Sequence, residues 1–228
     1  GQRQICRQGA VNRGTHLERS LSSLLSLSYP KLEIVVVDDA STDDTWSYLK
    51  GISDPRIKQV RRIENGGASS ARNTGIESAS FEILAFTDDD CIVTENWLEE
   101  LIKPFEDPKC GFVIGQTWYR SADYVGHFPE RLVHNHDAAW PMTCNMAYRN
   151  KVFSQLGGFS DEYAYFHNED TEMAMKAVAA GWAYARVSDA HTLHQEATWT
   201  TKSLLANSRN LGAVPLLQRD FPEPHECF

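Results

Sequence analysis

The sequence predicts an α/β domain built on a mostly parallel sheet with helices on both faces. Two apolar runs of strand length, residues 32–37 and 81–86, are separated by helical patterns, and such alternation reads as β-α-β-α units. Both runs empty into acids, Asp38-Asp39 and Asp88-Asp89-Asp90. Ligands of open parallel sheets sit outside the carboxyl ends of the strands, so these carboxylates would crowd one edge.

Each element has its own justification. Thr15 and Glu18 form a capping box, and Leu17, Leu21, Leu24, Leu25 and Leu27 give the following helix one apolar face. Tyr29-Pro30 ends it, because the residue before a proline avoids helical backbone. Residues 32–37 are rich in β-branched side chains, as in strands buried on both faces. Ser41, Thr42, Asp43 and Asp44 offer N-caps for a short helix through Tyr48 and Leu49. A strand over 56–60 and an Asn65-Gly66-Gly67 loop lead to an Ala/Ser-rich helix over 68–79. After the acidic triplet, Trp97, Leu98, Leu101 and Ile102 mark a helix within 94–105. Beyond it the pattern predicts strands over 111–118 and 182–187, and helices over 149–156 and 171–180. Residues 119–141, with His127, His134, His136 and Trp140, read as a long loop. His134 and His136 are taken there as loop polarity in preference to a second metal site.

Composition bounds the function. A chain of 228 residues with 42% apolar and 23% charged residues is globular and fits one domain with at most a small appendage. It holds no apolar run of bilayer-spanning length, and residues 1–13 are too polar for a signal-peptide core. Five scattered cysteines without a CxxC pair point away from a zinc or disulfide framework. They fit a reducing compartment, and so a cytoplasmic placement or a peripheral one at a membrane surface. A net charge of −9 argues against a nucleic-acid partner. It leaves room for a small phosphate ligand that a divalent cation bridges to the acids.

Three adjacent carboxylates repel one another unless a cation or tight hydrogen bonds compensate. Oxygens on alternate residues, such as Asp88 and Asp90, suit a hard divalent ion with open positions for phosphate oxygens. The alternative is a solvated acidic turn that caps the next helix. Glu169-Asp170 is open in the same way. It is either catalytic or charge decoration of a helix N-terminus, where the macrodipole favours ionised acids. Cys91 and Cys144 are read as buried inert thiols, and Trp118 and Trp140 as core residues or stacking platforms for a sugar.

Several separated segments resemble, in one order, the inverting glycosyltransferases of family 2. They are the stretch from Leu32 through Asp38-Asp39 to Thr45, then Asn65-Gly66-Gly67 with Ala71-Arg72-Asn73, and Thr87-Asp88-Asp89-Asp90 as the DxD element. Asn145-Met146-Ala147, Gly157-Gly158-Phe159 and Asn168-Glu169-Asp170 follow. The resemblance implies the GT-A fold, with a catalytic domain over 1–198 and a helical tail over 199–228. It implies a nucleotide-diphosphate sugar donor, a UDP-sugar by preference, Mn²⁺ or Mg²⁺ as cofactor, and a saccharide or lipid-linked acceptor. By similarity Asp39, Arg72, Asp88 and Asp89 bind the nucleotide sugar, Asp90 and His194 hold the metal, Asp170 is the catalytic base and Glu169 assists it. Arg72 could instead pair with a surface acid, and His194 could be a packed histidine.

The family pattern breaks at the amino terminus. Residues 2–12 carry Arg3, Arg7 and Gln8 where an apolar central strand is expected, and Val11 where an aromatic would meet the base. Two other classes compete with transfer. One is a catalytically silent GT-A-like nucleotide-binding module. The other is a sugar nucleotidyltransferase, for which Gly9-Ala10-Val11-Asn12 is a poor phosphate loop. Leu204, Leu205, Leu211, Val214, Leu216 and Leu217 suggest an amphipathic tail helix that packs on the domain or faces a membrane.

Overall fold

The computed structural model describes residues 3–10, 14–119, 141–165, 167–195 and 212–222. The strands among them are β1 (Arg3–Ala10), β2 (Leu32–Asp38), β3 (Ile57–Arg61), β4 (Ile83–Thr87), β5 (Cys91–Val93), β6 (Cys110–Tyr119), β7 (Met146–Arg149) and β8 (Ala183–His194). The helices are α1 (Gly14–Leu25), α2 (Thr45–Lys50), α3 (Gly67–Ser78), α4 (Trp97–Ile102), α5 (Asn150–Leu156), α6 (Asp161–Ala164), α7 (Glu169–Ala179) and α8 (Ala213–Asp220). One sheet runs in the order β3-β2-β1-β4-β7-β6-β8-β5.

β1 pairs in parallel with both β2 and β4, so the atypical amino-terminal segment is the central strand of the parallel half. Its backbone is needed there: without it β2 and β4 would each expose an unpaired ladder. The register slips once, between Arg7 and Ala10. β7 is antiparallel to both β4 and β6, while β6 and β8 are parallel. The carboxyl ends of β2, β4, β6 and β8 therefore lie on one edge.

Alternation along the strands divides the core into two layers. Ile34 and Val36 of β2 and Ile83 and Ala85 of β4 pack with Leu17, Leu21 and Leu24 of α1 and Trp97 and Leu101 of α4. Leu84 and Phe86 of β4 face the other way, with Phe112, Met146, Tyr148, Phe153 of α5, and Met173 and Ala177 of α7. Val35 and Val37 meet Ala71 of α3. α8 lays Ala213 and Leu217 against Tyr163 and Met175, and the Tyr163 hydroxyl donates to Asp220 at 2.6 Å. Val214 stays 40% exposed and Leu216 is partly buried. Leu204, Leu205, Leu211, Val11, His127, His134, His136 and Trp140 lie outside the described residues.

Three elements differ from expectation. Residues 91–93 form a strand, because pairing with β8 supplies what a three-residue stretch cannot show as a pattern. The helix of 94–105 shortens to α4, since Pro104 forces the following residues, Lys103–Glu106, into a 3-10 turn. β8 runs to His194 and not only to 187, because the register jump after Val187 absorbs Ser188, Asp189 and Ala190 as a bulge.

Asn145 locks this irregular region. Its side chain is buried, donates to the carbonyls of Gln116 and Ala190 at 2.9 Å each, and accepts from the Trp97 indole at 2.8 Å. A Cβ on Gly115 would lie 2.3 Å from its oxygen, so glycine is required beside it. Asn145→Ala strands three buried polar groups at about 1–3 kcal/mol each. Urea unfolding should show a loss of roughly 3 kcal/mol or more.

Candidate active site at the carboxyl edge of the sheet

The acidic triplet occupies a turn. The Asp88 carbonyl accepts from the Cys91 amide at 3.1 Å, which reverses the chain at Asp89-Asp90 and starts β5. Serines of α1 grip this turn: Ser20 Oγ donates to the Asp88 carbonyl at 3.3 Å, and the Val93 amide donates to Ser23 Oγ at 3.2 Å. Asp89 is buried. Asp90 meets the end of β8, where its carbonyl accepts from the Gln195 amide at 2.7 Å and its Oδ1 lies 3.4 Å from His194 Nε2.

His194 is oriented by a second contact. Its Nδ1 lies 2.8 Å from the Gln195 carbonyl oxygen, which can only accept. Nδ1 therefore carries the hydrogen, and Nε2 is the atom turned toward Asp90. Gln195 is anchored in turn by α1: its Oε1 accepts from Arg19 at 3.3 Å and its Nε2 donates to the His16 carbonyl at 3.3 Å. Asp90, Cys91 and His194 bring a carboxylate, a thiol and an imidazole within 4.8 Å of one another. Asp88 Oδ1 is buried with no hydrogen-bond partner among the described residues. This donor set fits a divalent cation, with Asp90 and His194 as its clearest ligands.

A second cluster adjoins the first. Arg72 of α3 is buried beneath the Phe159 ring, its guanidinium 5.4 Å from the ring centre. It donates to Glu169 Oε1 at 2.5 Å and lies 3.9 Å from Asp88 Oδ1. The carboxylates around it hold its pKa above the usual arginine value, against the opposing effect of burial. Asp170, at the start of α7, accepts from the Thr171 amide at 3.0 Å and the Thr143 amide at 3.1 Å. Burial, with Glu169 beside it, pushes the Asp170 carboxyl up to about 7 despite Arg72 and these two bonds. Burial also raises Asp88, to about 6, with Arg72 and His194 opposing and Asp90 and Asp89 adding to the shift. The Cys91 thiol is driven well above its ordinary value by burial, by Cys144 and by Asp88 and Asp90.

The predicted residues thus fall into two linked groups and one outlier. Asp88, Asp89 and Asp90 form the turn that His194 faces from the end of β8, and Arg72, from within α3, meets Glu169 at the start of α7, beside Asp170. Asp39, just past the end of β2, has other partners. Its Oδ1 accepts from Arg62 at 2.7 Å and from the Gly66 amide at 3.1 Å, and its Oδ2 accepts from the Gly67 amide at 2.8 Å. A positive φ of 77° at Gly67, the left-handed region that favours glycine, turns that amide inward. Trp118 is 51% exposed, outside the core, with its indole donating to His191 at 2.9 Å. Sequence reasoning missed Arg62, Thr143, Gln195 and the α1 serines, none of which carries a local signal. Cys91, read as a buried thiol, is buried and free.

The sequence model of glycosyl transferase family 2 matches residues 10–186, more than half of the chain. The chain is 29% identical over 164 residues to UDP-Glc:alpha-D-GlcNAc-diphosphoundecaprenol beta-1,3-glucosyltransferase WfaP of Escherichia coli, which covers 71% of this chain and 64% of the relative. It superposes on the mannosyltransferase PcManGT of Pyrobaculum calidifontis, solved with GDP-Man and Mn²⁺, at a TM-score of 0.69 and 23% identity, covering 84% of this chain and 56% of that one. TarS 1–349 of S. aureus with UDP-GlcNAc aligns at 0.71 and 20% identity, covering 89% and 61%. The chain thus spans somewhat under two thirds of each of these proteins. The structural neighbours have the GT-A fold, and this sheet with its flanking helices is that fold. On the strength of the sequence match, the chain belongs to glycosyl transferase family 2.

Proposed function

We propose that the chain transfers a sugar from a nucleoside-diphosphate sugar to an acceptor hydroxyl, in one displacement that inverts the anomeric centre. The reading rests on one juxtaposition along the sheet edge. A cation-ready Asp90–His194 pair lies there, and Arg72, 3.9 Å from Asp88 of the same acidic turn, links it to Asp170, a carboxyl raised to about 7. The names of the relatives add support. One is named for a UDP-glucose donor and a diphosphoundecaprenol-linked sugar, and the neighbours were solved with GDP-mannose and Mn²⁺ and with UDP-GlcNAc. A UDP-sugar donor, Mn²⁺ or Mg²⁺, and a saccharide or lipid-linked acceptor follow as the specific reading. Among the described residues no helix is long and apolar enough to cross a membrane, and a peripheral position at a membrane surface would suit a lipid-linked acceptor.

Asp90 and His194 would hold the divalent ion, which supplies Lewis-acid neutralisation of the departing diphosphate. Asp88 and Asp89 line the same turn on the donor side. Asp170 takes the proton of the acceptor hydroxyl as it attacks the anomeric carbon from the opposite face. The Thr143 and Thr171 amides fix its two oxygens. Glu169, held by Arg72, acts on Asp170 through its charge, and Arg72 limits how far that charge raises it. The catalytic unit would be residues 1–198, with 199–228 as the tail that brings α8 onto α6 and α7.

Both oxygens of Asp39 are engaged within the chain. Base recognition by Asp39 then needs its remaining lone pairs or displacement of Arg62.

Asp170→Asn should keep donor binding by calorimetry while transfer falls roughly 10²–10⁴-fold. Wild-type turnover in that variant would reject the assignment, and donor binding without any transfer by the wild type would favour the silent module. Because the ionised form is required, transfer should fall about tenfold per pH unit below about 7 and level off above it. Glu169→Gln, which removes a charge that raises Asp170, should move that limb to lower pH. Asp90→Ala should weaken Mn²⁺-dependent donor binding by roughly tenfold or more; unchanged metal dependence would remove Asp90 from the site.

A further inference from the structure

Cys91 gives this edge a chemistry that carboxylates alone do not. It is the direct cross-strand partner of His194 in the antiparallel β5–β8 pair. Opposed residues in such a pair share a face, with Cβ atoms about 4.5–5.5 Å apart. The ladder therefore holds a thiol beside the imidazole. The Cys91 sulfur lies 3.9 Å from Asp90 Oδ1, and that oxygen lies 3.4 Å from His194 Nε2. Tetrahedral Zn²⁺ with its usual bond lengths sets oxygen–sulfur and oxygen–nitrogen separations of about 3.6 and 3.4 Å. Both observed spacings are near these values. Cys91 and His194 are buried, so little solvent competes for their donor atoms. Mg²⁺ and Mn²⁺ prefer oxygen and gain little from sulfur, whereas Zn²⁺ binds thiolate strongly.

We propose that Cys91 is a third protein ligand, making Asp90, Cys91 and His194 a mixed centre that binds Zn²⁺ more tightly than Mn²⁺ or Mg²⁺. The proposal deepens the glycosyl-transfer reading, on which it rests for Asp90 and His194 as ligands. Binding replaces the S–H bond by a Zn–S bond and releases one proton to solvent, with no electron transfer. A fourth position stays open for a water or phosphate oxygen. Zn²⁺ and the hard ion then compete for the same two residues. Cys144, which hydrogen-bonds Cys91, lies outside the trio and serves as a control.

The test is a Co²⁺ titration of the intact chain, followed by Zn²⁺ competition. A sulfur-to-cobalt charge-transfer band should appear in the wild type and in Cys144→Ser and be lost in Cys91→Ser. Zn²⁺ affinity in Cys91→Ser should drop by roughly tenfold or more. Two wild-type readouts hold even where that variant fails to fold: a pH indicator should register one more proton released per Zn²⁺ bound than per Mn²⁺, and Zn²⁺ should displace Mn²⁺. No sulfur band with Co²⁺ bound, a band that survives Cys91→Ser, no extra proton, or Zn²⁺ binding no tighter than Mn²⁺ would each overturn the proposal. Mn²⁺-dependent binding of UDP- and GDP-sugars is measured on the same sample. Donor binding without the sulfur band rejects only the Cys91 assignment, and the band without donor binding rejects only the glycosyl-transfer reading.

Discussion

A buried guanidinium organises this edge. Arg72 sits under Phe159 with Glu169 in contact and Asp88 and Asp170 within electrostatic reach. Burying one charge without partners is expensive, and so is packing several acids together. The arrangement answers both demands at once, because each carboxylate near Arg72 offsets its burial and is offset in return. The same residue spans the two halves of the site: it reaches from the acidic turn after β4 to the start of α7. Removing it would leave buried acids facing one another with no described cation between them, so the separation between the acidic turn and Asp170 depends on it.

The geometry of the acidic turn comes from backbone more than from the acids themselves. β5 is only three residues long and exists because β8 pairs with it. β8 reaches that far because a bulge after Val187 lets the strand continue, and Asn145 secures the region by bonding both Gln116 and Ala190. Ser20 and Ser23 then fasten the turn to α1, and Gln195 fastens the end of β8 to the same helix. His194 faces Asp90 only because four distant segments agree.

That dependence explains what the sequence made legible. The strands with continuous apolar runs, β2 and β4, and the helices with strong periodicity, α1 and α7, are readable because burial imposes a local pattern on them. Asp90, Asp170 and His194 stood out through the order of the family's motifs, and they lie where Asp90 faces His194 and Asp170 starts α7 beside Glu169. Partners were not readable. Arg62 looks like any surface arginine after a strand, yet it caps Asp39. Glu169 looks like an exposed N-terminal acid, yet it is 5% exposed and paired with Arg72 from 97 positions away. The amino-terminal strand is present despite its atypical composition for a related reason: its place between β2 and β4 is set by the ladders on either side. Periodicity reports what a segment buries, and it is silent about what another segment brings to it.

Two carboxyls of this edge are raised by burial. Asp88 near 6 and Asp170 near 7 hold protons in the fold at pH values where an unfolded chain has released them. Their contribution favours folding below about pH 4 and is progressively lost as pH rises through 6 and 7. The Asp88 side chain keeps 23% of its surface exposed, so solvent screens part of this effect. Positive charge placed between Asp90 and His194 acts in the same direction as a proton on Asp88, since it favours the ionised neighbours. A cation and a proton thus offset the same repulsion among Asp88, Asp89 and Asp90.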